Sequence, residues 1–229
     1  MTPARDFVLL AGLWLTGDSW RPVADELVRL GHRPLVPQLP GADDGATTAT
    51  LDDQLAAVLA AVDGSERPVV VGHSAAATLA WLAADRRPED VARAVLVGGF
   101  PGTDGSPYAD LAPVVDGVMP FPGWAAFEGP DSADLDEEAR RRFTEAAVPV
   151  PVGVARATVR LGDPRRHAVP VTLVCPEFDP DDARAWLAAG ELPELEQADL
   201  SLVDLGSGHW PMLTRPVELA RLLDALPQG

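Results

Sequence analysis

The 229-residue sequence contains no lysine, since all 18 of its basic residues are arginines. The lack of lysine excludes Schiff-base chemistry, a lysine general base and the phosphate-binding lysine of a P-loop. A single cysteine, Cys175, excludes an internal disulfide and indicates a reduced, intracellular setting, so we expect a cytoplasmic protein. No apolar run approaches the roughly 20 residues that cross a bilayer. The first six residues lead directly into a strand pattern, so no signal peptide is expected.

Basic charge is also scarce, because 35 acidic residues give a net charge of −17. Phosphate binding depends on basic patches, which argues against nucleic acid and anionic membrane surfaces as partners. The hydrophobic fraction of 47% and the charged fraction of 23% are ordinary for a globular protein. We therefore expect a small-molecule substrate as the partner, with no cofactor and no metal.

The stretch Arg67–Ala77 has the pattern of a strand that turns at once into a helix. Val69–Val71 form a β-branched run that is typical of a buried central strand. Ser74 stands at the turn, where a strand–serine–helix corner is the nucleophile elbow of a hydrolase. Gly72 and Ala76 supply the small neighbours that this strained turn needs. The competing interpretation is a chance G-x-S-x-A string in an alanine-rich chain.

Strand and helix patterns alternate along most of the chain. The strand patterns lie at Asp6–Ala11, Arg33–Pro37, Val69–Val71, Val91–Phe100, Val169–Cys175 and Leu200–Leu205, and the intervening helical patterns include 51–62, 75–82 and 216–226. This alternation predicts an α/β fold with a six-stranded, mostly parallel sheet covered by helices on both faces. Right-handed crossovers then place the carboxyl ends of all strands at one edge, where ligands bind in open sheets.

The stretch 101–168 interrupts the alternation and is rich in Pro, Gly and Asp. Helical patterns are predicted within it at Asp134–Ala147 and near Gly153–Leu161. Loops of this length are usually functional or disordered, and this one carries apolar anchors. We expect one domain over residues 1–229, with 101–168 as a lid over the serine; the alternative is a long surface excursion with no binding role.

A serine nucleophile needs a base, and His209 is the best of the four histidines. His209 follows the last strand in a Gly-rich turn at the carboxyl edge. His73 adjoins Ser74, but its side chain is expected to point away from the serine. His32 begins a strand at the opposite edge, and His167 lies between lid and strand as a surface residue.

The acid of a triad is expected after the fifth strand, where Glu177 and Asp179 stand. We favour Asp179, because Pro180 follows it and a turn there could aim it at the histidine; Glu177 is the alternative. Cys175 is a competing nucleophile whose place at the strand end favours a buried thiol. The oxyanion hole is expected from the backbone N–H groups of Leu13 and Ala75.

With these residues in place, the chain resembles the α/β-hydrolase fold superfamily. The resemblance rests on Val8–Trp20, Pro68–Leu82, Val171–Asp179 and the G-H-W-P-M-L stretch at 208–213, in the order serine, acid, histidine. Three positions depart from the family pattern, with Ala11 for His, Ala76 for Gly and Pro176 for Gly. The resemblance is to the shorter members, among them small carboxylesterases and the plant-type esterase and hydroxynitrile lyase group.

These patterns predict a serine hydrolase that acts on a small, largely apolar ester or related acyl compound. Ser74 would attack, His209 would transfer the proton and Asp179 would orient His209. One alternative is a lyase that uses the same residues as an acid–base device, since fold does not fix chemistry. Another is a catalytically weak ligand-binding protein, which the altered glycines would suit.

Overall fold

The computed structural model describes residues 3–227. The central element of the fold is a parallel sheet. Its strands are β1 (Asp6–Leu10), β2 (Arg33–Leu35), β3 (Val69–His73), β4 (Arg93–Val97), β7 (Val171–Cys175) and β8 (Leu200–Asp204). Within the described range, these six strands pair in the order β2-β1-β3-β4-β7-β8, and every pairing is parallel. The predicted fold class is therefore confirmed. Two short strands outside this sheet, β5 (Val118–Met119) and β6 (Val150–Pro151), pair antiparallel.

Helices follow or connect these strands. The α-helices of the described chain are α1 (Arg21–Arg29), α2 (Leu51–Asp63), α3 (Ala76–Arg86), α4 (Glu137–Ala146), α5 (Val152–Ala155), α6 (Pro180–Ala188), α7 (Pro211–Thr214) and α8 (Pro216–Ala225). Short 3-10 helices lie at Gly17–Trp20, Trp124–Phe127, Pro130–Ser132 and Pro164–Ala168. No helix within residues 3–227 has the length and apolar character to span a membrane.

Alternating side chains of the buried strands build a separate core on each face of the sheet. On β1, Phe7 and Leu9 join the core that α1 and α8 cover. Val8 and Leu10 join the opposite core, which α2 and α3 cover. Both faces of β1, β3, β4 and β7 are buried, which explains why most of their residues are apolar.

Residues 101–168 form a series of short elements in the chain between β4 and β7. The helix predicted at Asp134–Ala147 is α4, which begins later because the Asp136 side chain caps it by accepting from the Ala139 N–H. The helix predicted at Gly153–Leu161 is wrong beyond α5. The Ala157 carbonyl accepts from the Tyr108 N–H, and this pairing pulls the backbone out of helical geometry. The role of 101–168 as a lid stays a prediction.

Candidate active site

Ser74 occupies the sharp turn between β3 and α3. Its φ angle is +54°, in the left-handed region that a side chain rarely adopts. The Ser74 N–H donates to the carbonyl of Val97 at 2.8 Å, which ties the turn to the end of β4. The backbone strain expected of a nucleophile elbow is therefore present at this serine.

Two glycines allow this turn to pack. A Cβ atom on Gly72 would lie 2.1 Å from the Ala76 carbonyl oxygen, and one on Gly99 would lie 2.2 Å from the Ser74 carbonyl oxygen. Any side chain at either position would force the turn apart. Ala76 itself is fully buried in α3 without such a conflict. The requirement at Gly99 was missed from the sequence, although Gly98-Gly99 directly follows β4.

The His209 imidazole follows β8 and forms a short hydrogen bond with Glu177. Nδ1 of His209 lies 2.6 Å from Oε1 of Glu177, and the two side chains are only 13% and 12% exposed. An ionised carboxylate only accepts hydrogen bonds, so this contact assigns the proton to Nδ1 and leaves the lone pair on Nε2. The other Glu177 oxygen, Oε2, is buried and has no hydrogen-bond partner among residues 3–227.

The prediction that Asp179 orients His209 is wrong. Its Oδ1 accepts from the N–H groups of Asp181 and Asp182 at 2.7 and 3.0 Å, so the side chain caps α6. Asp182 completes a capping box by accepting from the Asp179 N–H. A D-P-D-D sequence carries this signal, because Asp at the N-cap, Pro at the next position and an acid in the third are typical of a helix start.

Two consecutive glycines, Gly98 and Gly99, lie against the two parts of the candidate site, the His209 ring and the Ser74 turn. A Cβ atom on Gly98 would lie 3.3 Å from His209 Nδ1, whereas the neighbouring Gly99 abuts the Ser74 backbone. The Ser74 backbone and the His209 ring therefore both lie against the short Gly98-Gly99 segment that follows β4. The Ser74 hydroxyl forms no hydrogen bond within the described range. Catalytic hydrogen bonds in unliganded enzymes are often long and tighten only around substrate.

His73 holds the main chain of His209. Its Nε2–H donates to the His209 carbonyl at 2.7 Å, and the two rings lie 4.9 Å apart. Burial lowers the pKa of His73 well below its ordinary value, and the nearby His209 acts in the same direction. The Nδ1 atom of His73 is buried without a hydrogen-bond partner in the described chain. His73 is therefore a neutral ring that links the Ser74 turn to the loop after β8, residues 205–210, which carries His209 and which we call the histidine loop.

The remaining histidines lie elsewhere. His32 pairs with Asp224 at 2.9 Å and packs edge-on against Phe7, at the amino edge of the sheet. His167 was expected on the surface, but it is half-buried and packs against Trp81. Neither one contacts Ser74.

The segment 131–134 of the predicted lid docks onto the histidine loop. The Asp131 carbonyl accepts from the His209 N–H at 2.7 Å, and the Asp134 carboxylate accepts from the Gly208 N–H at 2.8 Å. Burial raises the pKa of the Asp131 carboxyl; His209 opposes this shift and Glu177 reinforces it. The backbone of His209 is thus held at its N–H by this segment and at its carbonyl by His73.

The first loop, residues 11–16 between β1 and the 3-10 helix Gly17–Trp20, passes beside the serine, as expected for a source of oxyanion donors. A Cβ atom on Gly12 would lie 3.2 Å from the Ser74 Cβ. Within residues 3–227, the N–H groups of Leu13 and Ala75 donate to no protein acceptor. Trp14 in this loop has a positive φ of 62°. Its indole N–H donates to the Met119 carbonyl, which anchors the loop to β5.

Aromatic side chains fill the space between the first loop, the histidine loop and the segment 101–168. The cluster consists of Trp14, Phe121, Trp124, Phe127, Phe143 and Trp210, with ring centroids 5.1–5.9 Å apart. Trp210 also meets His209 at 4.9 Å. We call this set the aromatic wall.

Cys175 is fully buried, as expected. Burial raises the pKa of its thiol to about 12, and the charge of Asp204 adds to the shift. A thiol held in this form is a poor nucleophile. Among residues 3–227, no group of three or more His, Cys, Asp or Glu side chains is arranged to hold a metal ion.

The six-stranded parallel sheet with helices on both faces is the fold of an α/β hydrolase. Residues 7–222 match the model of the alpha/beta hydrolase family. The chain therefore belongs to that family. No curated protein matches the sequence.

Solved structures share the fold at low sequence identity. An extracellular alpha/beta-hydrolase from a Paenibacillus species superposes with a TM-score of 0.79 at 18% identity, covering 96% of this chain and 97% of the other. The methylesterase MES16 from Arabidopsis has a TM-score of 0.72 at 16% identity, with coverage of 96% and 97%. Tomato methylketone synthase I bound to 2-tridecanone has a TM-score of 0.71 at 16% identity, with 96% of each chain covered.

Proposed function

We propose that this protein is a serine hydrolase that cleaves small, largely apolar esters or related acyl compounds. The observation that carries the proposal is the buried His209–Glu177 pair beside the strained turn of Ser74. This arrangement has the parts of a nucleophile, a base and an orienting acid. Glu177 replaces Asp179 as the acid in the proposed triad.

In the proposed reaction, the Ser74 hydroxyl attacks the acyl carbon and transfers its proton to Nε2 of His209. The negative charge of Glu177 stabilises the imidazolium that forms. Collapse of the tetrahedral intermediate breaks the acyl–oxygen bond, and the imidazolium returns its proton to the departing alcohol. His209 then deprotonates a water molecule that attacks the acyl-enzyme, and collapse of the second tetrahedral intermediate breaks the bond between the acyl carbon and Oγ of Ser74. The imidazolium returns its proton to Oγ, which regenerates Ser74, and the acid product leaves.

The proposed oxyanion hole consists of the Leu13 and Ala75 N–H groups. Both lack a protein acceptor in the described chain, and they flank the serine from the first loop and from the start of α3. Donors that are already oriented stabilise the developing oxyanion without reorganising. Because these donors are backbone N–H groups, they are present whichever side chain stands at position 11. The replacement of the family histidine by Ala11 therefore leaves them in place.

The apolar character proposed for the substrate rests on the surroundings of the first loop. Phe121 and Phe127 from the segment 101–168 pack against Trp14, next to the proposed oxyanion donor Leu13. An acyl compound bound there would meet rings rather than charges. A methylesterase and polyneuridine aldehyde esterase are among the proteins that share the fold, which is consistent with ester chemistry.

The decisive experiment is labelling with a fluorophosphonate, which forms a stable bond only with an activated serine. We expect one label per chain, located on the peptide that carries Ser74 by mass spectrometry. Ser74→Ala should abolish labelling, whereas Ser65→Ala, at a serine bonded to the end of α2, should leave it unchanged.

Hydrolysis of p-nitrophenyl acetate and butyrate by the full chain is the second measurement. Turnover lost in Ser74→Ala, together with an acyl-enzyme detected by mass spectrometry, would support the proposal. Failure of the folded wild type to label would overturn it. Cyanohydrin cleavage without an acyl-enzyme would assign the chain to lyase chemistry instead.

A further inference from the structure

A half-open cavity of about 580 Å³ lies beside α4, away from the proposed triad. It is bounded by three parts of the chain: the first loop with the 3-10 helix Gly17–Trp20, the start and inner face of α4, and the end of α7. Its volume falls in the range of about 300–1,000 Å³ that small-molecule sites occupy. Of the described residues, Ser74, His209 and Glu177 are not among those that line it.

The lining is mainly apolar. Leu15, Leu135 and Phe143 form the inner surface, and Leu213 stands at its side. Leu213 is 39% exposed, one of the larger apolar side chains that the fold leaves in contact with water. A ligand in the cavity would cover this side chain and remove apolar surface from water, which favours binding.

The charged groups around the cavity are already satisfied by the protein. Asp134 accepts from Gly208, and Asp136 caps α4. The other two form ion pairs, Arg142 with Glu138 and Asp18 with Arg21. A charged ligand would have to compete with these partners, whereas a neutral ligand would leave all four contacts intact.

The aromatic wall separates this cavity from the proposed catalytic residues. Trp210 meets His209 on one side at 4.9 Å and Phe143, which lines the cavity, on the other at 5.3 Å. Trp14 also borders the cavity and packs against Phe127 at 5.9 Å. An occupant would therefore lie behind these rings and would not need to contact Ser74.

From these observations we infer that the cavity is a second binding site, which takes one neutral, apolar small molecule independently of the serine. This site does not depend on the proposed hydrolase activity. It can exist in a protein whose serine is inactive, and the two claims can fail separately.

The test is a fluorescence titration of the full chain with N-phenyl-1-naphthylamine, a neutral apolar probe. We expect saturable binding of one probe per chain, with the same affinity in Ser74→Ala and in fluorophosphonate-treated protein. The sulfonated analogue 1-anilinonaphthalene-8-sulfonate should bind at least about tenfold more weakly, a difference of about 1.4 kcal/mol.

Filling the cavity provides the matched control. Ala139→Phe places a phenyl ring in it and should weaken probe binding at least about tenfold. Ala188→Phe makes the same change on the exposed face of α6 and should leave binding unaltered. Ala146→Phe at the other end of the cavity should repeat the loss, so that the result does not depend on one variant folding normally.

Three outcomes would overturn the inference. These are non-saturable binding, equal binding in wild type and both cavity-filling variants at unchanged circular dichroism, and loss of probe binding on phosphonylation of Ser74. The last would make the cavity part of the serine site.

Discussion

Nδ1 of His209 and Oε1 of Glu177 are 2.6 Å apart, although 32 positions separate the two residues in the chain. The contact brings together the loop after β8 and the loop after β7, which are neighbouring parallel strands. Asp179 follows Glu177 by only two positions, yet its carboxylate is committed to the start of α6. Two acids in one short loop therefore have different tasks, and each can be tested separately.

Glu177→Gln should reduce kcat for p-nitrophenyl butyrate by roughly 10,000-fold, the loss seen when a triad acid is replaced by its amide. The amide cannot stabilise an imidazolium, and it can hold His209 in the wrong tautomer. Steady-state kinetics on the purified variant would measure this loss.

Asp179→Asn is the matched control, because it makes the same change two positions away. Asn is also a good N-cap, so kcat should remain close to wild type. Asp179→Ala should lower the free energy of unfolding by about 0.5–2 kcal/mol without a comparable loss of kcat. Inactivity of Asp179→Asn with an active Glu177→Gln would reverse the assignment.

The Cys175 thiol should be unreactive toward alkylating reagents in the folded protein. Its thiol is buried and its pKa is raised to about 12, so almost no thiolate exists at pH 8. Iodoacetamide should leave the native chain unmodified and alkylate it once in urea, as measured by mass spectrometry. Cys175→Ala should retain esterase activity. Rapid alkylation of the native protein with loss of activity would contradict this prediction.

His73 should make stability depend on pH in the acidic range. Its folded-state pKa is well below 6.5, so the unfolded chain binds a proton as pH falls through 6.5 while the native chain does not. This residue's contribution to the free energy of unfolding should therefore decline below about pH 6.5 by up to about 1.4 kcal/mol per pH unit.

Urea denaturation between pH 5 and 8 would measure this effect. Because the Asp131 carboxyl also titrates nearby, the comparison is between wild type and His73→Gln, and the difference between their slopes reports His73 alone. Parallel curves would show that His73 is protonated with the same ease in both states.

Asp134→Ala should lower activity through the main chain of the histidine loop. The variant removes the acceptor of the Gly208 N–H and frees the residue before His209. We expect a loss of about 1 kcal/mol of stability and a fall in kcat of about tenfold, as positioning changes produce. Asp25→Ala, at an exposed residue on α1, is the control and should change neither quantity. An unchanged kcat in Asp134→Ala would show that Asp131 and His73 suffice to place His209.

Asp85 should be a strong determinant of stability without a role in catalysis. The carboxylate is buried on α3 and accepts from the N–H groups of Gly162 and Asp163 at 2.9 Å, beside the Arg166 guanidinium. Asp85→Ala should cost about 1–3 kcal/mol, because two N–H donors and the Arg166 guanidinium lose this buried acceptor. Thermal unfolding would measure the loss, and Asp90→Ala, at an exposed site after the same helix, should stay within about 0.5 kcal/mol.

The sequence by itself determined the sheet and the placement of Ser74 and His209 at its carboxyl edge. The valine-rich sequences of β3 and β7 predict buried parallel strands, because strands covered on both faces need apolar side chains on both. Ser74 directly follows β3, and His209 lies in the Gly-rich turn after β8. Both could be assigned from sequence because parallel strands bring their carboxyl ends to one edge of the sheet. Local patterns of this kind act over a few residues and survive whatever the rest of the chain does.

Only the tertiary structure decided which acid meets His209. Glu177 and Asp179 lie on the same loop, and the path of its backbone between β7 and α6 turns one carboxylate toward β8 and the other into a helix cap. The extended chain after α5 was decided in the same way, by pairing of residues near Ala157 with residues near Tyr108. Contacts between segments far apart in the chain depend on how the intervening elements pack, and no local pattern encodes that packing.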